Sequence, residues 1–211
     1  MTRGRFITLE GGEGVGKTTQ ARLLADHLRA AGHDVLLTRE PGGTPGAEAI
    51  RNLLLDSNLA IGARTEALLF AAARADHVEH AIGPALELGC WVVCDRFIDS
   101  SRAYQGGGED LFDDAIMALH TIGSWGLLPD ATALLTANDA TIADRLRRRD
   151  GDTSDRIGGR PAAYHAGVAE RFAQLAASDP DRFVTVSADG SAQDVHQRLL
   201  AALSPVLSEA G

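Results

Sequence analysis

Short apolar runs rich in β-branched residues recur along the chain, at Phe6 to Leu9, Asp34 to Thr38, Trp91 to Cys94, Ala131 to Thr136 and Arg182 to Val186, and each is followed by a stretch of helical periodicity. Strands that are apolar on both sides and alternate with helices belong in a parallel sheet covered on both faces. The pattern predicts a three-layer α/β/α domain with about five strands. Helices are expected over Lys17 to Ala31, Gly46 to Leu55, Ala63 to Leu88, Leu111 to Trp125, Asp139 to Arg149, Pro161 to Ala177 and Ala192 to Leu203. Gly32 stands where a left-handed C-terminal residue belongs, Asp139 is placed to cap the helix that follows it, and Pro84 is expected to kink or end the long third segment. The charged, glycine-bearing stretch Asp150 to Arg160 lacks apolar periodicity and reads as a mobile loop.

Composition narrows the class. The 211 residues are 45% hydrophobic and 23% charged, ordinary for one globular domain, residues 1–211. No apolar run approaches the roughly 20 residues of a membrane helix, so no membrane partner is expected. The first residues lack the pattern of a signal peptide, which points to the cytoplasm. A net charge of -9 argues against nucleic acid as a partner, and the cluster Arg145, Arg147, Arg148, Arg149 stands out as a local exception without interleaved aromatics. Cys90 and Cys94 fall in or beside one apolar run; four positions apart on a strand they would lie roughly 13 Å apart, too far for a disulfide, and they read as reduced core residues.

The segment Gly11-Gly12-Glu13-Gly14-Val15-Gly16-Lys17-Thr18 fits G-x-x-x-x-G-K-[ST], with a strand before it and a helix after it. Glycines let successive amides turn toward phosphate oxygens, and the helix N-terminus adds a positive dipole. The pattern implies a nucleoside triphosphate, with Lys17 reaching its β/γ-phosphates and Thr18 ligating Mg2+. No Asn-Lys-x-Asp segment follows a later strand, which disfavours a GTPase. The run Trp91 to Cys94 ends in Asp95-Arg96, at the sheet edge where ligands sit. Asp95 can hold the metal or its water, and Arg96 can span donor and acceptor phosphates; the plainer alternative is a pair that ties strand to loop.

Four ordered motifs then resemble bacterial thymidylate kinases, over essentially the whole chain and more weakly after Arg160: Phe6 through Thr19, Thr38-Arg39-Glu40-Pro41-Gly42-Gly43-Thr44, Leu69-Phe70-Ala71-Ala72-Ala73-Arg74, and Asp95-Arg96 through Gly108. The resemblance implies a P-loop kinase fold, ATP as phosphoryl donor, dTMP as acceptor, Mg2+ and a homodimer. It places Phe70 on the thymine ring, Arg74, Ser101 and Gln105 at the base edge, Tyr104 against the sugar 2' position and Glu13 at the 3'-hydroxyl. It places Arg51, Arg96 and Ser100 near the monophosphate, beside Glu40 and Pro41, whose peptide bond is expected to be cis. Thr19 and Arg147 join the donor site, while Arg39 either binds phosphate or pairs with Glu40. With no arginine at Gly14 or Val15, the charge-neutralising arginines fall to a lid over about residues 145–160, in Arg147, Arg149 and Arg156. After Asp155-Arg156-Ile157 the chain continues Gly158-Gly159-Arg160, where relatives often carry acidic residues. A kinase of another nucleotide or nucleoside is the nearest alternative. A non-catalytic nucleotide switch gives no reason for Phe70, Arg74, Tyr104 and Gln105 to occur together.

Overall fold

The computed structural model describes residues 3–108, 111–150 and 156–208; the side chain of Arg149 and the whole of Asp155, both singled out from the sequence, lie outside the described residues. The chain runs β1 (Phe6–Glu10), α1 (Lys17–Ala30), β2 (Val35–Arg39), α2 (Pro45–Leu55), α3 (Ala63–His77), a π turn (Val78–Ile82), α4 (Gly83–Glu87), β3 (Trp91–Asp95) and α5 (Ile98–Tyr104). A two-residue pair, β4 (Gly107–Gly108) and β5 (Leu111–Phe112), leads into α6 (Asp113–Ser124), β6 (Ala131–Thr136), α7 (Asp139–Asp150), α8 (Ala162–Ser178), β7 (Phe183–Ser187) and α9 (Ala192–Ser208). The main sheet is parallel, in the order β2-β3-β1-β6-β7. Because β1 is central, its carboxyl end opens into the crevice where parallel sheets hold ligands.

Side chains alternate across a strand, so neighbouring residues of β1 feed opposite cores. Ile7 and Leu9 pack with Leu24 and Leu28 of α1 and Leu199 and Leu203 of α9. Phe6 packs on the other face with Val92, Phe97, Ile82, Leu86 and Ile116. A third cluster of Tyr104, Val168, Phe172 and Phe183 joins α5 to α8 and the sheet. Each fully buried large side chain contributes about 1.5–3 kcal/mol relative to exposure. Among the described residues no helix is long and apolar enough to cross a membrane.

The five strands appear where the apolar runs place them, with β1 and β3 extended by one acidic residue each, Glu10 and Asp95. Gly32 closes α1 at φ +93, with its amide on the Arg29 carbonyl and that of His33 on Leu28. One expectation needs correction. The cap of α7 is Asn138 rather than Asp139: its Oδ1 accepts the Thr141 amide at 2.9 Å, and Asp139 is the first helical residue. The stretch Ala63 to Leu88 is interrupted, as Pro84 predicts, and falls into three pieces: Pro84 has no N–H to donate and the backbone widens into the π turn before α4 restarts. Ile98–Tyr104, absent from the helices expected from the sequence, is a helix. Cys90 and Cys94 are free thiols.

Candidate active site

The loop between β1 and α1 depends on glycine backbone. Gly11 and Gly16 have φ of +135 and +97, and a Cβ on Gly11 would fall 2.4 Å from the Leu135 carbonyl oxygen of β6. Only glycine lets the loop lie that close. Lys17 donates back to the Gly11 and Gly12 carbonyls at 3.2 and 2.6 Å. Burial, with the charge of Arg96, pushes its ammonium down from 10.5 to about 8 against the pull of Glu13, Asp95 and Glu10. Thr18 Oγ1 donates to Asp95 Oδ2 at 2.5 Å. This hydroxyl and carboxylate form an all-oxygen pair at the α1 N-terminus, a donor set that fits Mg2+, which takes few protein oxygens and completes its shell with phosphate and water.

Arg96, just past β3, has φ +72, strained for a residue with a side chain. Its amide donates to the Leu9 carbonyl at 3.0 Å. The guanidinium donates to the Gly11 carbonyl at 3.1 Å, Ser100 Oγ at 3.0 Å, Glu13 Oε1 at 2.6 Å and the Tyr104 hydroxyl at 3.3 Å. One residue thereby ties the phosphate loop to α5. Beneath it lies Glu10, fully buried, accepting from the Phe97 and Ser100 amides and from Ser100 Oγ. Burial and the nearby Asp99 carboxylate raise the Glu10 carboxyl to about 7.

Across the crevice the Glu40–Pro41 peptide bond is cis, as the resemblance implies. Glu40 bonds Arg74 Nε at 2.8 Å and His77 Nδ1 at 3.0 Å. Burial alone would raise its carboxyl, but Arg74 and His77 outweigh burial and hold it below the usual range. Arg74 also donates to Ser101 Oγ at 2.7 Å and lies 5.3 Å from the Phe97 ring centre. Arg51 donates to the Pro41 carbonyl at 2.7 Å. Arg39 pairs with Glu48 at 2.9 Å and not with Glu40, whose oxygens are taken by Arg74 and His77.

These groups enclose a cavity of about 350 Å³ lined by Glu13, Glu40, Pro41, Arg51, Phe70, Arg74, Arg96, Ser100, Ser101, Tyr104 and Gln105, together with Lys17, Thr18 and Asp95. Every residue assigned above to the acceptor meets here. A second cavity, of about 440 Å³, is lined by Gly14, Val15, Gly16, Thr19, Arg145 and Gly190. Lys17 and Thr18 line both.

The arginines expected in a lid divide. Arg147 is exposed, 3.8 Å from Asp144, and lines neither cavity. Arg156 donates to the Leu54 carbonyl at 2.8 Å and to Glu66 at 2.7 Å, and its buried Nη2 has no hydrogen-bond partner among the described residues. Arg145, named from the sequence only as part of the basic cluster and given no role at the site, donates to the Val15 and Ala188 carbonyls at 3.0 and 2.8 Å. Its signal was available: one turn from Ile142 and adjacent to Leu146, it belongs to the apolar face of α7 that packs on the phosphate loop at Gly14.

A family model described as thymidylate kinase matches residues 9–199. The chain belongs to the thymidylate kinase family. It is 57% identical over 205 residues to a thymidylate kinase of Rhizorhabdus wittichii, covering 97% of this chain and 99% of that one. To one of Rhodopseudomonas palustris it is 48% identical over 200 residues, 93% and 87% of the two chains. A solved thymidylate kinase structure from Ehrlichia chaffeensis superposes with a TM-score of 0.75 at 32% identity, over 96% of this chain and 99% of that one. Thymidylate kinase membership agrees with the parallel sheet, the phosphate loop on its central strand and the second cavity beside it.

Proposed function

We infer that this protein is a nucleoside monophosphate kinase that phosphorylates dTMP to dTDP at the expense of ATP, a step toward dTTP. The observation that carries the reading is the pair of cavities sharing Lys17 and Thr18: a triphosphate seated on the loop from one side ends where a monophosphate enters from the other. An oxygen of the dTMP phosphate attacks the γ-phosphorus in line, the bond to the β-phosphate oxygen breaks, and ADP leaves with that electron pair. The acceptor is already an anion, so no general base is required.

Catalysis then rests on placement and countercharge. Lys17 and Arg96 face the transferring group, Arg96 held by Ser100 and the Gly11 carbonyl. Thr18 and Asp95 are the residues that would hold Mg2+, which neutralises phosphate charge when bound. Phe70 offers a flat apolar face to thymine, Arg74 and Gln105 read its edge, and Tyr104 crowds the sugar 2' position. Arg145 steadies the phosphate loop, while Arg147, Arg149 and Arg156 remain our lid candidates within residues 145–160 of a single domain. For assembly we propose a homodimer, supported by exposed Leu53, Leu68 and Ile122 on α2, α3 and α6, where α3 packs against each of the other two. Sedimentation at the 22.2 kDa monomer mass across micromolar concentrations would count against it.

The test is a panel of dTMP, dCMP, dGMP, UMP and thymidine with ATP, read by ADP release. Fastest turnover on dTMP is expected, with UMP well behind. Preference for thymidine or for a purine nucleotide would overturn the reading.

A further inference from the structure

Glu66 lies on α3 one turn before Phe70 and two before Arg74, and is 2% exposed. Its two oxygens have different partners. Oε1 accepts from the side-chain amide of Gln105 at 2.8 Å. Oε2 accepts from Arg156 Nη1 at 2.7 Å and Arg160 Nη2 at 2.5 Å. A glutamine amide can turn either end toward a neighbour, but against a carboxylate already paired with two guanidiniums only its NH2 end is favourable. The Gln105 oxygen then has no protein partner among the described residues, and Gln105 lines the acceptor cavity.

Arg74 is fixed in a parallel way. Its Nε is held by Glu40 and its Nη2 by Ser101 and the Phe97 carbonyl, and Arg74 lines the same cavity. The cavity is thus lined by a guanidinium, which donates, and by a side chain whose amide oxygen can only accept. A pyrimidine carrying a carbonyl next to a ring N–H satisfies both. A pyrimidine carrying an amino group next to an unprotonated ring nitrogen opposes both, donor against donor and lone pair against lone pair.

We propose that Glu66 is a specificity-determining positioning residue: it locks the Gln105 amide with its oxygen toward the base and so excludes cytosine nucleotides from a site that accepts thymine. The proposal rests on the dTMP-kinase reading. Glu66 itself touches no substrate and acts through Gln105. The second carboxylate oxygen adds a link to the lid, because the arginines that hold Glu66 in place come from residues 156 and 160.

The experiment compares kcat/KM for dTMP and dCMP in wild type, Glu66→Gln, Gln105→Ala and the double variant. An amide at position 66 accepts either end of Gln105, so the dTMP to dCMP ratio should fall about tenfold or more in Glu66→Gln. The loss should come mainly through KM, with kcat on dTMP moving less. In the double variant the ratio should equal that of Gln105→Ala alone, since Glu66 acts only through that side chain. Arg160→Gln, which weakens the other oxygen's pairing, should leave the ratio within about twofold of wild type. An active Glu66→Gln enzyme with an unchanged ratio overturns the proposal. A wild type inactive on dTMP overturns instead the function on which it rests. Should Glu66→Gln fail to fold, the wild-type protein still decides by NMR. The Gln105 side-chain NH2 resonances should barely move when dTMP is added, and a large shift would show the NH2 end turned to the base.

Discussion

The donor and acceptor halves we propose for the crevice are built to hold phosphate by different means. The donor half is one contiguous segment whose work is done by backbone: Gly11 and Gly16 in left-handed conformations, amides at a helix start, and a single lysine. The acceptor half is assembled from α2, α3, α5, the cis turn at Pro41 and the stretch 156–160, and is held by buried carboxylates, Glu40 bonded to Arg74 and His77 and Glu66 paired with Arg156 and Arg160. A backbone cradle tolerates little change and buries one ammonium, that of Lys17. A cradle of buried ion pairs can be tuned residue by residue, at the risk of leaving a charge uncompensated.

The sharpest way to break this comparison is Lys17→Ala. Loss of a preorganised cation facing the transferred group should lower kcat by about 10³-fold or more while the melting temperature stays within a few degrees of wild type. Near-normal turnover would remove the donor half's distinctive role. Glu40→Gln tests the other half. It leaves Arg74 buried with only neutral partners and should cost about 3–5 kcal/mol in denaturant unfolding, together with a raised KM for dTMP. A variant as stable as wild type would mean the pair is not what holds the acceptor wall. A smaller effect comes from pH. With its ammonium down at about 8, Lys17 in the free enzyme loses its charge as pH rises through that value, so kcat/KM for ATP should fall above pH 8. The same lowered value means that the folded state binds fewer protons than the unfolded one between 8 and 10.5, so stability from this group rises with pH across that window even as activity falls. Parallel loss of both would point to a different titrating group.

The two halves were also unequally readable in the sequence. The strands and the phosphate loop could be read because each is continuous: apolar runs for the sheet, glycines at fixed offsets for the loop. Helix α5 and the Gln105 that caps it could not, since Asp99, Ser101 and Gln105 are polar and yet buried, making bonds to Arg182, Arg74 and Glu66 that no local periodicity reveals. Glu66 went unnoticed for the same reason. A glutamate in a helix reads as a solvated charge until the arginines from ninety residues away arrive. In the run Arg145 to Arg149 the letters alone drew attention to the density of charge, whereas the position relative to Ile142 and Leu146 decides which arginine turns inward. Asp95 and Arg96 were placed correctly because a strand end fixes its own location at the sheet edge.

Lys17 and Thr18 line both cavities. A single molecule with a nucleoside at each end of a polyphosphate chain would reach both chambers at once, and binding of its first end would hold the second at a high effective concentration. Its affinity would depend on chain length: too short and the ends cannot both seat, too long and the gain declines as the linker gains freedom. The residues common to both cavities therefore also set the length of the molecule best suited to bridge them.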